Sequence, residues 1–532
     1  MRQLGSIRSS ALAAGFGPAG WLVKPAVLFA MLIGGGCALG PHVLPADQQK
    51  AIDRKVTEYP ARFQLEPYVV GLDSPTGMSP DESGNLIIAE GGIDGDPHIF
   101  GFHPDGTKFG IYPIHTRIPL IKPGFRIYGP IGGVVAYKGH IYVSHRDEYD
   151  MGVITAFGYD GSHKTVLADL PAQGDYGVTD IAVSPDGMLY FGVGAATNSG
   201  VVGLDNWEEG WVRKHPDACD LPAGALELLG YRFDAKNPDA SIFSPSIKVT
   251  VPFQPFGVSN IIHIPAAAMP VVKPSGAIFR VSPDGGDPTI VAWGVRNPVG
   301  LAVNQFHTVY FTDQGMELRG TRPVSGDPDG LFRLVLNTWY GFPDYTRSLD
   351  PVSDQKFQPL PEMVEASGYP SVRYVIDHQA SGLRDPDRRL LAGSFKPLSG
   401  ASKMAIVPDS GPFRGYEGSI IVALWGDRAP FATHDIPLKK PYPGYKLVRV
   451  DPVSGEVHEF IYNTGGGPAS GLSFGRHEAM ERPIDAKFGP DGALYILDFG
   501  RVRMKNGEMK VSDGTGKVFR LMPLGTSATT QQ

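Results

Sequence analysis

TDIAVSPDGMLY (179–190) returns as IDAKFGPDGALY (484–495). Each copy holds an Asp, an apolar run in near-alternation, Pro-Asp-Gly, and a second apolar run through Leu-Tyr. Two apolar runs joined by a tight turn, with Gly supplying the positive φ, make a β-hairpin. Further copies are PTGMSPDESGNLIIAEGG (75–92), IGGVVAYKGHIYVSHRDE (131–148) and PVGLAVNQFHTVYFTDQG (298–315), with a weaker one at GPFRGYEGSIIVALWGDR (411–428). A second phrase follows each hairpin: IFGFHPDG (99–106), VITAFGYDG (153–161), IFRVSPDGG (278–286), LFRLV (331–335), LVRVDPVSG (447–455) and VFRLMP (518–523). Six hairpins with six third strands predict an all-β chain: a six-bladed β-propeller of four-stranded antiparallel blades. Long loop insertions are expected at about 196–275 and 336–410, on the faces of the ring. Residues just before the first strand and just after the second then lie near the channel, where functional side chains are expected.

Composition agrees with a β-rich globular protein. Of 532 residues, 68 are Gly and 48 Pro, while only 19% are charged. This favours many turns over long charged helices. At 42% hydrophobic, the chain has enough apolar surface to fold. The formal net charge is −7 and no long basic run follows the N-terminus, so nucleic acid is a poor partner. The two cysteines, Cys37 and Cys219, form no CxxC, which excludes zinc-ribbon and c-type haem readings. No GxSxG, HExxH or phosphate-cradling loop is present.

The N-terminus reads as an export signal. Arg2, Arg8 and Lys24 precede the short apolar stretch 26–33, which is too short to span a bilayer and ends in Gly-Gly-Gly-Cys37. Three outcomes stay open: a lipid anchor on Cys37, a plain cleaved signal, and an uncleaved anchor. All place the rest in the periplasm or cell envelope. The expected organisation is a signal or lipoprotein segment at 1–37, a tether at 38–60, the propeller at 61–525 and a disordered tail at 526–532.

WGVRNPVGLAVNQFHTVYFTDQGMELRG (293–320), followed by WYGFPDY (339–345), resembles the glucose/sorbosone dehydrogenase family. These are soluble or lipid-anchored six-bladed propellers that use pyrroloquinoline quinone (PQQ) and calcium. The resemblance spreads over most of residues 65–523 and implies an exported quinoprotein that oxidises a sugar or related alcohol or aldehyde. It further implies that Arg296 and Asn297 contact the quinone, and a planar guanidinium suits its carboxylates. Arg482, eight residues before Pro490, takes the place of a second carboxylate contact. Arg428 stands near the place of a fifth-blade lysine. Asn198 stands in a loop, GVGAATNSG (192–200), similar to the sorbosone-type loop. Gln314, Gly315 and Met316 are implied as calcium ligands through hard oxygens. Met316 replaces the family's Pro.

The largest departure lies before the opening phrase. The family's His general base, nine residues before the Pro, is Tyr176 here, beside Asp175. A base with a pKa near neutral serves that step, and neither Tyr nor Asp ordinarily has one. In SHRDEYD (144–150), His145 is a substitute candidate, and Asp147, Glu148 and Asp150 are candidate metal ligands or a solvated loop. Glu90, Asp313 and Asp498 end other hairpins, either as a cation ring or as turn caps. His477 and Glu478 precede the last blade. Trp207 and Trp211 are either a sugar-stacking platform or local core. Two alternatives stand beside the oxidoreductase: a catalytically degenerate propeller that binds carbohydrate or a surface partner, and a calcium-dependent lactonase-type hydrolase. The substrate and the electron acceptor are not legible.

Overall fold

The computed structural model describes residues 40–524, apart from 94, 114–124, 258–265, 366–370, 430, 434–436, 473–477 and 506–507. The segment 1–37 with Cys37, His477, and the tail from 525 lie outside the described residues. Among the described residues no helix is long and apolar enough to cross a membrane.

Six sheets radiate from one axis, each read from its inner strand outward. Blade 1 is Pro75–Pro80, Leu86–Glu90, His98–Phe102 and Lys108–Tyr112. Blade 2 is Tyr128–Tyr137, His140–Arg146, Gly152–Gly158 and His163–Leu170. Blade 3 is Val178–Val183, Leu189–Val193, Ala277–Val281 and Thr289–Trp293, with Thr338–Trp339 added in parallel. Blade 4 is Leu301–Val303, Val309–Asp313, Pro328–Arg333 and Leu391–Pro397. Blade 5 is Ala401–Ile406, Ile420–Leu424, Lys446–Val450 and Val457–Asn463. Blade 6 is Pro483–Phe488, Leu494–Asp498, Gly516–Pro523 and, from the other end of the chain, Phe63–Leu72. That last pair runs antiparallel from Phe63 opposite Pro523 to Leu72 opposite Gly516. It closes the ring and leaves no open edge between the first and last blades.

The repeated phrase takes its expected form. Gly187 and Gly492 sit at φ 87° and 76°, where a side chain would be strained. The strands it joins are apolar on both faces because every blade packs against two others. Phe191 and Phe279 of blade 3 stack at 5.3 Å over Ile154 and Leu167 of blade 2. Phe311 and Phe332 of blade 4 pack on Ile278 of blade 3, and Ile496 and Phe519 of blade 6 on Ile421 of blade 5.

Two details differ from the sequence reading. The first strand of blade 5 is Ala401–Ile406, not the stretch from 411. Residues 411–418 are loop, and Phe413 leaves it to stack against Phe63 at 4.5 Å. The expected tether belongs to the fold. His42–Val43 pairs with Val69–Val70, Thr57–Glu58 pairs with Tyr462–Asn463, and Ile52, Val56 and Tyr59 are buried.

Charged side chains of the inner strands fill the axis. Lys403 of blade 5 donates to the Thr76 carbonyl of blade 1 at 2.5 Å and lies 3.6 Å from Asp180 of blade 3. Lys487 lies 2.7 Å from Asp485, whose other oxygen accepts the Met78 amide. Inner strands of non-adjacent blades thus meet, and any ligand site must open at a mouth rather than run through the ring.

The inter-blade placement makes Phe519 a sensitive probe. Phe519→Ala is expected to cost about 3–5 kcal/mol in urea unfolding. Phe306→Ala, on a ring that is 72% exposed, should stay within about 0.5 kcal/mol. Equal effects would contradict the packing.

Candidate active site at one mouth of the propeller

The starts of inner strands and the ends of second strands of blades 3 to 6 meet at one mouth. They bring together most of the residues singled out in the sequence, in arrangements set by buried carboxylates.

Asp313, at the end of its strand, accepts the amides of Arg296 and Asn297 and pairs with Arg347 at 2.5 Å. Asp498 does the same in blade 6 for the amides of Glu481, Arg482 and Gly500. Glu90 accepts the Asp73 amide in blade 1. Each carboxylate is spent on holding its own blade's loop, as buried backbone donors require. Among the described residues no group of His, Cys, Asp and Glu is arranged to hold a metal ion, so this ring of acids forms no cation site.

Arg296 is 1% exposed. Its Nε and Nη2 donate to the carbonyl and the side-chain oxygen of Asn198, both at 2.8 Å, and Nη1 reaches the Gln314 carbonyl at 3.4 Å. The Tyr176 ring lies against it, 4.8 Å from ring centre to guanidinium carbon. Asn198 is equally committed, donating to the carbonyls of Glu317 and Arg319. These two residues organise the loop after Gln314 and present no free face to a ligand. Asn297 donates to the Gln314 side chain at 2.9 Å, and Gln314 donates on to the Ala401 carbonyl.

Beside them lies an ionic network. Arg319 pairs with Asp175 at 2.5 Å, Asp205 at 2.5 Å and Glu317 at 2.6 Å. Arg428 reaches Glu317 at 3.0 Å and Glu209 at 3.2 Å. Burial would raise Glu317, but Arg428, Arg319 and Arg296 hold it far below the ordinary carboxylate value. Burial and the neighbouring Asp175 push Asp205 up to about 6, against the pull of Arg319. Burial pushes Tyr176 up to about 12, so its phenol stays protonated at neutral pH.

A small open cleft of about 70 Å³ adjoins the network, lined by Gln314, Gly315, Glu317, Asp329, Trp425 and Arg428. Arg482 packs behind Trp425, which lines the cleft. Its guanidinium lies 4.0 Å from the Trp425 ring and 4.8 Å from that of Tyr445, and Nη1 donates to the Asp427 carbonyl at 3.0 Å. Its Nε and Nη2 have no acceptor among the described residues. The carbonyls of Gly315 and Met316 likewise have no donor among them, while their amides are held by Asp329 and Asp327.

Other candidates lie apart. His145 is buried in blade 2 between Thr155 Oγ1 at 2.8 Å and the Arg146 carbonyl at 2.7 Å, and burial lowers it to about 4. Asp147 accepts the amides of Tyr149 and Met151, Glu148 is exposed, and Asp150 pairs with Lys214 and His215. Glu478 is exposed. Trp207 and Trp211 pack with Val202, Val212 and Phe256 as local core, and Trp211 also donates to Asp175 at 2.7 Å. Sequence reasoning missed Glu209, Glu317 and Arg319. A signal existed for the last two, since MELRG (316–320) directly follows a second strand and so faces the mouth.

No protein-family model and no curated protein matches the sequence. Solved structures resemble it over most of its length. One is a putative oxidoreductase (glucose dehydrogenase) from Thermus thermophilus, with 18% identity over 86% of this chain and 100% of that one, TM-score 0.45. Another is the PQQ-bound aldose sugar dehydrogenase from Streptomyces coelicolor, with 15% identity over 87% and 99%, TM-score 0.45. A third is the calcium structure of a Trichoderma reesei carbohydrate-active enzyme of family AA12, with 12% identity over 90% and 99%, TM-score 0.47.

Arg319 is the common counter-charge of three buried carboxylates. Arg319→Met is expected to cost about 3–5 kcal/mol in urea unfolding at pH 7. Carboxyls left unpaired and buried have raised folded pKa values. The folded state then binds more protons than the unfolded one below neutrality, and its stability rises as pH falls. Part of the loss should therefore return at pH 5. A loss unchanged between pH 7 and pH 5 would contradict the network.

Proposed function

We propose that this protein oxidises a sugar, or a related small alcohol or aldehyde, using PQQ and Ca²⁺ held in the cleft beside Trp425. The observation that carries the reading is that Gln314, Gly315, Trp425 and Arg428 line that cleft, with Arg482 packed on Trp425. A planar acid fits there. Two nitrogens of Arg482, Nε and Nη2, have no acceptor among the described residues, Trp425 offers an aromatic face, and Arg428 is 29% exposed. The uncommitted carbonyls of Gly315 and Met316 suit a hard cation such as Ca²⁺. The fit does not extend to Arg296, whose donors are taken by Asn198 and Gln314.

When bound, the quinone supplies the two-electron acceptor for the substrate C–H bond. The chain supplies the rest. Arg428 and Arg482 bind and orient carboxylates, Trp425 excludes water from one face, and Glu317 keeps Arg428 and Arg319 in place. Tyr176 keeps its proton and braces Arg296.

A second reading has one observation in its favour: Arg296 and Arg319 are already neutralised within the chain. That suits a propeller that binds a carbohydrate without turnover. A lactonase-type hydrolase has no comparable support, because its candidate ligands Glu90, Asp313 and Asp498 hold backbone amides instead. Export, and a lipid anchor at Cys37, are proposed from the N-terminal sequence alone.

Purified protein reconstituted with PQQ and CaCl₂ should reduce a dye in the presence of some member of an aldose panel, and should need both additions. Arg482→Ala should weaken PQQ binding about ten- to a hundredfold, the loss of a charge-assisted contact. Sugar binding with neither PQQ binding nor dye reduction would replace this reading with the second one.

A further inference from the structure

Blade 5 carries a further recess that the cofactor reading leaves unused. It lies at the ends of the outer strands Lys446–Val450 and Val457–Asn463, where Lys446 stands opposite both Leu424 and Tyr462. Leu424 directly precedes Trp425 of the cleft, so cleft and recess share one end of the blade. The recess measures about 360 Å³, within the range of about 300–1,000 Å³ usual for small-ligand sites.

One ring divides the two spaces. Tyr445 lines the recess, and its hydroxyl donates to Asp427 Oδ2 at 2.6 Å. Asp427 and Gly426 line the cleft. A side chain on Gly426, at φ 104°, would meet the Tyr445 ring at 2.6 Å, so the ring rests on the cleft wall. Arg482 packs on the same ring at 4.8 Å.

Aromatic rings and a polar rim enclose the recess. Tyr442 meets Tyr445 edge-on, with centroids 5.9 Å apart, and Tyr462 lines the recess from the outer strand. Tyr442 and Tyr462 are half-buried, and neither hydroxyl has a partner among the described residues. Lys446 and Glu459 pair at 2.6 Å. Lys440 lies 5.9 Å from the Tyr442 ring and has no carboxylate partner among the described residues. The glycine run 465–467 supplies another wall and leaves the space open. A side chain on Gly467, at φ 95°, would meet the Tyr442 ring at 2.6 Å. Asn463 fixes this loop by donating to the Gly467 and Met480 carbonyls while accepting the Thr57 hydroxyl. The buried Gly467 amide has no acceptor among the described residues, an unmet donor in the wall of the recess.

These walls match a pyranose ring. The faces of such a ring carry C–H bonds that pack on aromatic rings, and its rim carries hydroxyls that both donate and accept. Tyrosine serves both needs with an apolar body and a polar tip. The Lys446 ammonium and the Glu459 carboxylate, though paired, keep further donor and acceptor capacity. An apolar ligand would leave these groups and the Gly467 amide unmatched.

We propose that the recess binds one sugar unit of a longer carbohydrate, as an outer subsite beside the cleft. The ligand is then an oligosaccharide that reaches over Tyr445, not a lone monosaccharide. This rests on the carbohydrate reading of the mouth, common to the oxidoreductase and the binding propeller above, and adds the length of the ligand.

Calorimetric titration of the full-length apo-protein with cellohexaose, maltohexaose, chitohexaose and hexagalacturonate tests the subsite without a cofactor. At least one of them should bind saturably and more tightly than its own monosaccharide. Tyr442→Ala and Tyr462→Ala, on separate segments, should each weaken that binding about tenfold, the scale of one good aromatic contact. Tyr442→Phe, which keeps the ring, should weaken it less than Tyr442→Ala. No binding by any of the four, or binding indifferent to both alanine variants, overturns the outer subsite. With PQQ and CaCl₂ added, wild-type kcat/KM should favour the bound hexasaccharide over its monosaccharide, and Tyr442→Ala should reduce that preference. Equal kcat/KM for the two overturns the link between subsite and cleft. Absence of all turnover alongside binding that depends on Tyr442 overturns the oxidoreductase reading and leaves the subsite standing.

Discussion

Arg319 is the hinge of the mouth. Its guanidinium binds Asp175 before blade 3, Asp205 in the insertion and Glu317 after the second strand of blade 4. Three segments distant in sequence are thereby drawn to one point inside the protein. Removing a charge from water is expensive, and a buried arginine is tolerated only where its partners are also fixed. That requirement explains the neighbourhood. Asn198 holds the loop that carries Glu317, Trp211 and Asn206 hold Asp175, and Arg428 shares Glu317. With these loops fixed, the cleft beside Trp425 has rigid walls.

The same economy governs the axis. Lys403, Asp180, Asp485 and Lys487 close the ring at its centre and leave chemistry to one end. The two ionic groups divide the labour. One joins blades that do not touch through their sheets. The other ties the long insertion of blade 3 to the repeated framework. The insertion is thus part of the site and contributes Asp205 and Glu209.

The fold was largely legible in the sequence because it repeats. Pro-Asp-Gly between apolar runs marks hairpins, and the phrase ending near Phe-Arg marks third strands. Fourth strands such as His163–Leu170 and Val457–Asn463 escaped notice, since outer strands are half exposed and carry no common phrase. The closing strand Phe63–Leu72 was also missed as a partner of Gly516–Pro523, because no local pattern reports a pairing across the whole chain. At the site, the gathering of Arg296, Asn297, Gln314, Arg428 and Arg482 at one mouth could be anticipated from their places in the blades. Their fates could not. Whether an arginine faces a ligand or a carboxylate depends on what folds beside it. Here those partners, Asp205, Glu209 and Glu317, come from segments without repeat spacing. Tyr176 is the clearest case: its place marked a missing base, yet its ring packs on Arg296.

Ligand chemistry belongs, on this reading, to the cleft between the turn after blade 4's second strand and the Trp425 and Arg428 side chains of blade 5, with Arg296 behind that turn, its donors spent on Asn198 and Gln314. A crystal structure of the protein with PQQ and Ca²⁺ tests this most directly. The expected result is a planar ring beside Trp425, carboxylates on Arg428 and Arg482, and a cation on the Gly315 and Met316 carbonyls. A quinone seated on Arg296 with Tyr176 and Glu317 displaced, or an empty cleft at saturating PQQ, would contradict it.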